Sequence, residues 1–172
     1  MLKVTGIILI LTASVLFGYL MQSELYDHVN QLVGMKEMLI MLSGEISYAK
    51  TPLEEAFLHI ANQGKEPYAA LLKDVRERMN AGEQIPLQEI WRDELSKHKE
   101  DFLLKDEEYM ILENAGDNFG YLDWQMQIKN INVYVAQVEA RIVQAQDELA
   151  TKQKMYQYLS VMGGLFLIII LI

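Results

Sequence analysis

The sequence predicts an all-α protein, an antiparallel bundle of six helices flanked by N-terminal and C-terminal transmembrane helices. Apolar residues recur at helical spacing through most of the chain, and each of the three prolines stands where a helix would begin. Residues 4–21 and 155–172 contain no charged side chain, whereas residues 24–154 hold all 24 acids and 14 of the 15 bases. The chain therefore divides into two apolar ends and one water-soluble helical domain.

Each apolar end is long enough to span a membrane. Eighteen residues at ~1.5 Å per residue cover ~27 Å, close to the thickness of the hydrocarbon core of a bilayer. Residues 4–21 are also compatible with a cleaved signal peptide preceded by Lys3, but the run is long for one and no small-residue cleavage site follows. Lysines and tyrosines suit the interface of the second span, because their polar ends reach the headgroups. These predicted interface residues are Lys152, Lys154, Tyr156 and Tyr158.

Small residues four positions apart occur in both predicted spans. Ser14 with Gly18 and Ser160 with Gly164 would let two helix backbones approach closely in lipid. Such pairing would join the two spans or two copies of the chain, so a second copy is among the expected partners. Basic residues cluster more on the side of the middle domain, which favours a cytoplasmic location for that domain.

Long helices are predicted at both edges of the domain of residues 24–154. The last helix should begin after Asp123 as N-cap and continue without Gly or Pro into the C-terminal span. The first helix should end near Lys50, because Pro52 disfavours helical geometry at Thr51. The apolar stripe of the first helix comprises Leu25, Val29, Leu32, Met35, Leu39, Leu42 and Ile46. The heptad seam of the last comprises Trp124, Ile128, Ile131, Val135, Val138, Ile142, Ala145 and Leu149.

Four shorter helices fill the interval between the long ones. They are predicted at Pro52–Gln63, from Pro67 to about Asn80, from Pro86 onward, and at about Asp106–Ala115. The first should have Thr51 as N-cap and Pro52 at its first helical position. Gly116 and Gly120 are predicted to turn the chain after the last. The expected inward residues are Leu53, Phe57, Ile60, Tyr68, Leu71, Leu72, Val75, Met79, Leu87, Ile90, Trp91, Leu95, Tyr109, Leu112 and Ala115.

The composition argues against catalysis, metal binding and nucleic-acid binding. There is no cysteine, and the net charge of −10 over residues 24–154 argues against nucleic acid as a partner. Glu55 with His59 and Glu94 with His98 are four residues apart, whereas a carboxylate-bridged metal site uses Glu-x-x-His at a three-residue step. We interpret both pairs as exposed contacts within one helix. The sequence predicts no catalytic, metal-binding or cofactor-binding residue, and hence no enzyme.

Two motifs connect the chain with a known family. The stretch Glu45-Ile-Ser-Tyr48-Ala-Lys-Thr51-Pro52-Leu53-Glu-Glu55-Ala56 resembles the Glu-Ile-x-Tyr-x-x-Thr-Pro-Leu-x-Glu-Ala stretch of the stage III sporulation protein AB family. The stretch Gly116-x-x-Phe119-Gly120-x-x-Asp123-x-x-x-Gln127 is similar to a second stretch of that family, with Phe119 in place of the usual leucine. The order of the motifs and of the apolar ends agrees along the whole chain.

The resemblance implies a process and partners. The family is a membrane component of the channel complex that joins mother cell and forespore in endospore-forming bacteria, and it is similar to the inner-membrane platform protein of type II secretion systems. It implies docking of a secretion-type ATPase, stage III sporulation protein AA, and of other stage III sporulation channel subunits at the mother cell membrane around the forespore. We hypothesise that Glu45, Tyr48, Glu55 and Gln127 line the docking surface, whereas Thr51, Pro52, Gly116, Gly120 and Asp123 have structural roles. A membrane-anchored helical signal transducer is the alternative.

Overall fold

The computed structural model describes residues 2–49, 51–82, 85–119 and 124–171, with side chains near the two ends described only in part. These ranges contain six α-helices and no strand, which confirms the predicted all-α fold with six helices. A π-helical turn (Glu45–Ala49) follows the first helix and a short 3₁₀ turn (Lys99–Asp101) follows the fourth. The helices are α1 (Leu2–Gly44), α2 (Leu53–Gln63), α3 (Tyr68–Asn80), α4 (Leu87–Lys97), α5 (Asp106–Asp117) and α6 (Trp124–Leu171).

The chain forms two compact units. One comprises residues 30–142, and the other comprises residues 1–29 with 143–172. Within the first unit α2 packs against α3, α3 against α4, and α4 against α5. This helical unit contains the π-helical turn, the four short helices and most of the buried apolar side chains.

The three prolines mark helix starts as predicted, but each lies one residue outside its helix. Pro52, Pro67 and Pro86 immediately precede the first helical residues of α2, α3 and α4. The carbonyl of Pro52 accepts the Ala56 N–H at 2.9 Å, while the extended ψ of 144° keeps Pro52 itself out of the helix. The prediction of Thr51 as N-cap and Pro52 as first helical residue is therefore wrong by one position.

The predicted stripes supply the core. Along α1 the buried stripe includes Leu32, Met35, Leu39 and Leu42, and along α6 the buried seam includes Ile131, Val138 and Ile142. The short helices contribute most of their predicted inward residues: Phe57, Ile60, Tyr68, Leu71, Leu72, Val75, Ile90, Trp91, Leu95, Leu112 and Ala115. Leu53, Met79, Leu87 and Tyr109 are only half-buried. Each of these four lies in the first or last turn of its helix, where fewer neighbours surround a side chain.

Gly116 lies inside α5 and not in a turn, which corrects the sequence prediction. It is buried beneath Trp91, and a Cβ at this position would lie 2.0 Å from Cδ1 of the indole ring. The indole N–H donates to the carbonyl of Leu112 at 3.2 Å. Glycine is required here because it lets α4 approach the backbone of α5 this closely.

Three aromatic rings meet around this contact. Trp91 packs edge-on against Phe119 with a centroid separation of 5.2 Å, and Phe57 lies 6.0 Å from Phe119 and 6.5 Å from Trp91. Edge-to-face and tilted ring pairs at these separations are favourable beyond their burial. The buried Phe119, which stands where the family pattern has leucine, therefore joins the segment after α5 to α2 and α4.

No helix in the described part of the chain meets the length and apolarity needed to cross a membrane. Most side chains of the predicted spans 4–21 and 155–172 lie outside the described residues. Gly120, Asp123 and the side chain of Tyr156 also lie outside them, so their predicted roles remain predictions. Lys152 is half-buried beside Glu148 at 3.7 Å, and Lys154 and Tyr158 are exposed.

Candidate docking site

The first family motif folds into a corner between α1 and α2. We define the Tyr48 corner as the π-helical turn Glu45–Ala49 with Thr51–Glu55 and His59. The turn widens the end of α1, and the Thr51 N–H donates to the Glu45 carbonyl at 3.3 Å across six residues. Single π-helical turns of this kind are rare and frequently lie at functional sites.

Glu45 holds this corner together. One oxygen of its carboxylate accepts a hydrogen bond from the Thr51 hydroxyl at 2.7 Å, and the other lies 3.3 Å from Nδ1 of His59 on α2. The carboxylate therefore ties the end of α1 to the loop and to the following helix. Glu45 has a structural role that its position in the sequence did not reveal.

Tyr48 and Glu55 are the two predicted docking residues that solvent reaches freely. Tyr48 is 93% exposed, the highest value among the exposed large apolar residues that the structure describes. Glu55 is exposed in the first turn of α2, where the helix dipole favours an acidic side chain. A tyrosine held on a fixed turn offers a large contact area at a small cost in conformational entropy, and tyrosine is enriched among residues that dominate binding energy.

Gln127 lies half-buried in the first turn of α6. It forms no hydrogen bond with Tyr48 or Glu55. Of the four predicted docking residues, Glu45, Tyr48 and Glu55 therefore share one corner, and Gln127 lies on another element, α6. The sequence alone could suggest that Glu45, Tyr48 and Glu55 lie close together, because they fall within eleven positions of one another.

The predicted contacts of the histidines within one helix are replaced by contacts between segments. His59 contacts Glu45, not Glu55. His98 lies between Asp74 on α3 and Asp101 in the 3₁₀ turn, with both carboxylates at 2.8 Å from its ring nitrogens. Burial lowers the pKa of His98, but the hydrogen bonds to Asp74 and Asp101 outweigh it, and the net effect raises the pKa.

Glu94 is a buried acid that the sequence analysis placed on an exposed face. Its side chain is 4% exposed and contacts Arg78 at 3.0 Å and Lys97 at 2.7 Å. The sequence did contain a signal for this burial, because Glu94 lies on the same face of α4 as the apolar Trp91 and Leu95. An acid buried on such a face needs a cation beside it. This cluster links α3 to α4. Among the described residues no group of three or more His, Asp or Glu side chains could hold a metal ion.

The fold and the Tyr48 corner define a six-helix bundle protein with an exposed aromatic residue on a fixed interhelical turn. The sequence matches the family model of Stage III sporulation protein AB over residues 3–172, and the chain therefore belongs to this family. It is similar to Stage III sporulation protein AB of Bacillus subtilis (strain 168), with 29% identity over 171 residues and 99% of each chain covered. A solved structure of Stage III sporulation protein AB is similar at a TM-score of 0.66 and 27% identity, covering 72% of this chain and 97% of that chain.

Proposed function

We propose that this protein is a non-enzymatic, membrane-attached platform component of the channel complex between mother cell and forespore. Membership of the Stage III sporulation protein AB family along residues 3–172 is the observation that carries this proposal. The name of the Bacillus subtilis relative, Stage III sporulation protein AB, associates that protein with sporulation. A platform acts by holding other subunits, and this requires exposed contact surfaces on a stable bundle.

We further propose that the Tyr48 corner docks the ATPase, stage III sporulation protein AA, at the mother cell membrane, and that other channel subunits assemble on the same bundle. The support is geometric: Glu45, Thr51 and His59 fix the corner, and Tyr48 projects from it. An exposed tyrosine on a fixed support contributes most when a partner buries it.

A capture experiment tests the docking role. The full chain carrying Tyr48→Ala should retain about tenfold less of the ATPase than the unaltered chain, since loss of a central tyrosine contact typically costs more than ~1 kcal/mol. Tyr26→Ala is the matched control, because Tyr26 is also an exposed tyrosine but lies on α1, outside the Tyr48 corner. Both variants should melt at the same temperature as the parent. Equal retention of the ATPase by the Tyr48 and Tyr26 variants would mean that the ATPase binds elsewhere on the chain or does not bind to it.

The membrane attachment is supported by the sequence, in which residues 4–21 and 155–172 are free of charge. We propose that both segments insert in the mother cell membrane and leave the middle domain in the cytoplasm. Lys152 and Lys154 would then lie at the interface beside the second segment.

Thiol access tests this arrangement, because the chain has no cysteine of its own. Ser96 is exposed on α4, so a cysteine there will be reachable wherever the domain lies in an aqueous compartment. Ser96→Cys should resist a membrane-impermeant thiol reagent in intact cells and react after lysis. Labelling in intact cells would put the domain outside the cytoplasm and rule out a cytoplasmic ATPase as its partner.

A further inference from the structure

Two hydrogen bonds between the same pair of residues enclose Tyr48. The Glu45 carbonyl accepts the backbone N–H of Thr51 at 3.3 Å, and the Glu45 carboxylate accepts the Thr51 hydroxyl at 2.7 Å. Tyr48 lies three positions after Glu45 and three positions before Thr51. We define the Glu45–Thr51 clasp as these two hydrogen bonds. The clasp joins the chain on one side of Tyr48 to the chain on the other side.

The clasp is connected to the helices on either side of it. The second oxygen of the Glu45 carboxylate lies 3.3 Å from Nδ1 of His59 on α2. The Ser47 hydroxyl donates to the Ser43 carbonyl on α1 at 2.6 Å. Because Ser47 directly precedes Tyr48, this bond restrains the backbone just before the tyrosine. The turn that carries Tyr48 is thus held from α1, from the loop and from α2.

Exposure separates the residue that can meet a partner from the residues that hold it. Tyr48 is 93% exposed, whereas the Glu45 side chain is only 23% exposed and Thr51 is half-buried. Both oxygens of the Glu45 carboxylate already have neighbours within the chain, the Thr51 hydroxyl and the His59 ring. A docking partner would have to displace these neighbours before it could bind the carboxylate. The geometry therefore does not support the direct docking contact that the family motif suggested for Glu45.

We propose that Glu45 and Thr51 are positioning residues: they hold Tyr48 in the orientation that a docking partner binds, and they make no contact with that partner themselves. This role rests on the docking proposed above for the Tyr48 corner. Ordering a mobile side chain during binding weakens the affinity by about twofold to tenfold, and a side chain that is ordered beforehand avoids that cost. The clasp therefore strengthens docking without adding contact area.

Cleavage by chymotrypsin after Tyr48 tests the clasp without any partner. Thr51→Val keeps the branched shape of the side chain but removes its hydroxyl. Loss of one such hydrogen bond shifts a local opening equilibrium by about twofold to tenfold. Cleavage tracks the population of the open form when reclosing is fast, so cleavage after Tyr48 should accelerate by that factor in the full chain in a mild detergent. Cleavage after Tyr26 on α1 should not change, and an unchanged rate at Tyr48 would overturn the positioning role.

A double-mutant cycle with the ATPase tests whether the clasp acts through Tyr48. Thr51→Val should weaken retention of the ATPase by about twofold to tenfold in the parent chain, but by less than about twofold in a chain that already carries Tyr48→Ala. Thr51→Ser should restore both retention and the parent cleavage rate, because it returns a hydroxyl. Thr151→Val is the matched control: it removes an exposed hydroxyl on α6 and should change neither readout.

Glu45→Ala provides a second route, in case Thr51→Val lowers the melting temperature. It removes the carboxylate from the other side of the clasp and should reproduce both effects, whereas Glu45→Gln keeps an oxygen acceptor and should lose less. Retention that falls with Tyr48→Ala but not with Thr51→Val or Glu45→Ala would overturn the positioning role and leave the docking role intact. Equal losses with and without Tyr48 would also overturn it, because the clasp would then act apart from the tyrosine. Retention unaffected by Tyr48→Ala would refute the docking role, and the positioning role with it.

Discussion

The position of Trp91 depends on the absence of a side chain at Gly116. The indole ring occupies the space into which a Cβ would project, and its N–H donates to the carbonyl of Leu112 on α5, the helix that contains Gly116. The ring also carries the edge-on contact with Phe119. One glycine thus determines how α4, α5 and the segment that follows α5 pack together.

Gly116→Ala should therefore destabilise the bundle by about 1–5 kcal/mol. Overpacking costs roughly 1–3 kcal/mol, loss of the buried indole hydrogen bond adds about 1–3, and the better helix propensity of alanine returns about 1. Urea unfolding followed by tryptophan fluorescence measures the change. Gly44→Ala is the control, because nothing lies within 4 Å of its added Cβ, and it should be neutral or slightly stabilising. Equal effects of the two substitutions would contradict the packing argument.

The partners of charged residues were the least predictable feature at this scale. Helical spacing suggested His59 with Glu55, yet the imidazole contacts Glu45 on the preceding turn. Contacts between segments depend on how helices cross, and local spacing carries no information about that crossing. The burial of Glu94 could not be predicted for the same reason, because its partner Arg78 lies on another helix.

At the scale of the elements, hydrophobic periodicity and proline positions predicted most of the architecture. The starts of α2, α3 and α4 fall within one residue of prediction, because proline fixes φ and cannot continue a helix from the preceding turn. The uninterrupted α6 follows from the absence of Gly and Pro between residues 122 and 162.

The π-helical turn was not predictable from the same patterns. A π turn inserts one residue into an otherwise α-helical ladder, and its local sequence, Glu-Ile-Ser-Tyr-Ala, has no residue that enforces it. Its geometry is instead held by Glu45, which reaches forward to Thr51 and His59. The family motif did mark this segment, and Tyr48 became a sharper docking candidate only once its exposure was known.

For the whole molecule, segregation of charge is the organising feature. Acids cover the domain, yet the described structure buries only Glu94 and Glu108 among its charged residues. Glu94 has two cations beside it, and Glu108 accepts the backbone N–H of Lys105 at 2.8 Å. Removing one partner of a buried charge costs roughly 3–5 kcal/mol. Glu94 therefore fixes α3 against α4, whereas Glu108 caps the start of its own helix, α5.

The stability of the bundle should depend on pH through His98, which connects α3, α4 and the 3₁₀ turn. Asp74 and Asp101 raise the pKa of His98 above its usual value near 6.5, so the contribution of His98 is complete below that value and is lost as the pH rises through the raised pKa. His98→Gln should therefore lower the free energy of unfolding more at pH 5.5 than at pH 9, as measured by urea titration of the full chain at both values. Asp74→Asn alone should make the free energy of unfolding less dependent on pH than in the parent chain, since it removes one of the two carboxylates that favour the imidazolium. An equal loss at both pH values would show that His98 contributes by packing alone.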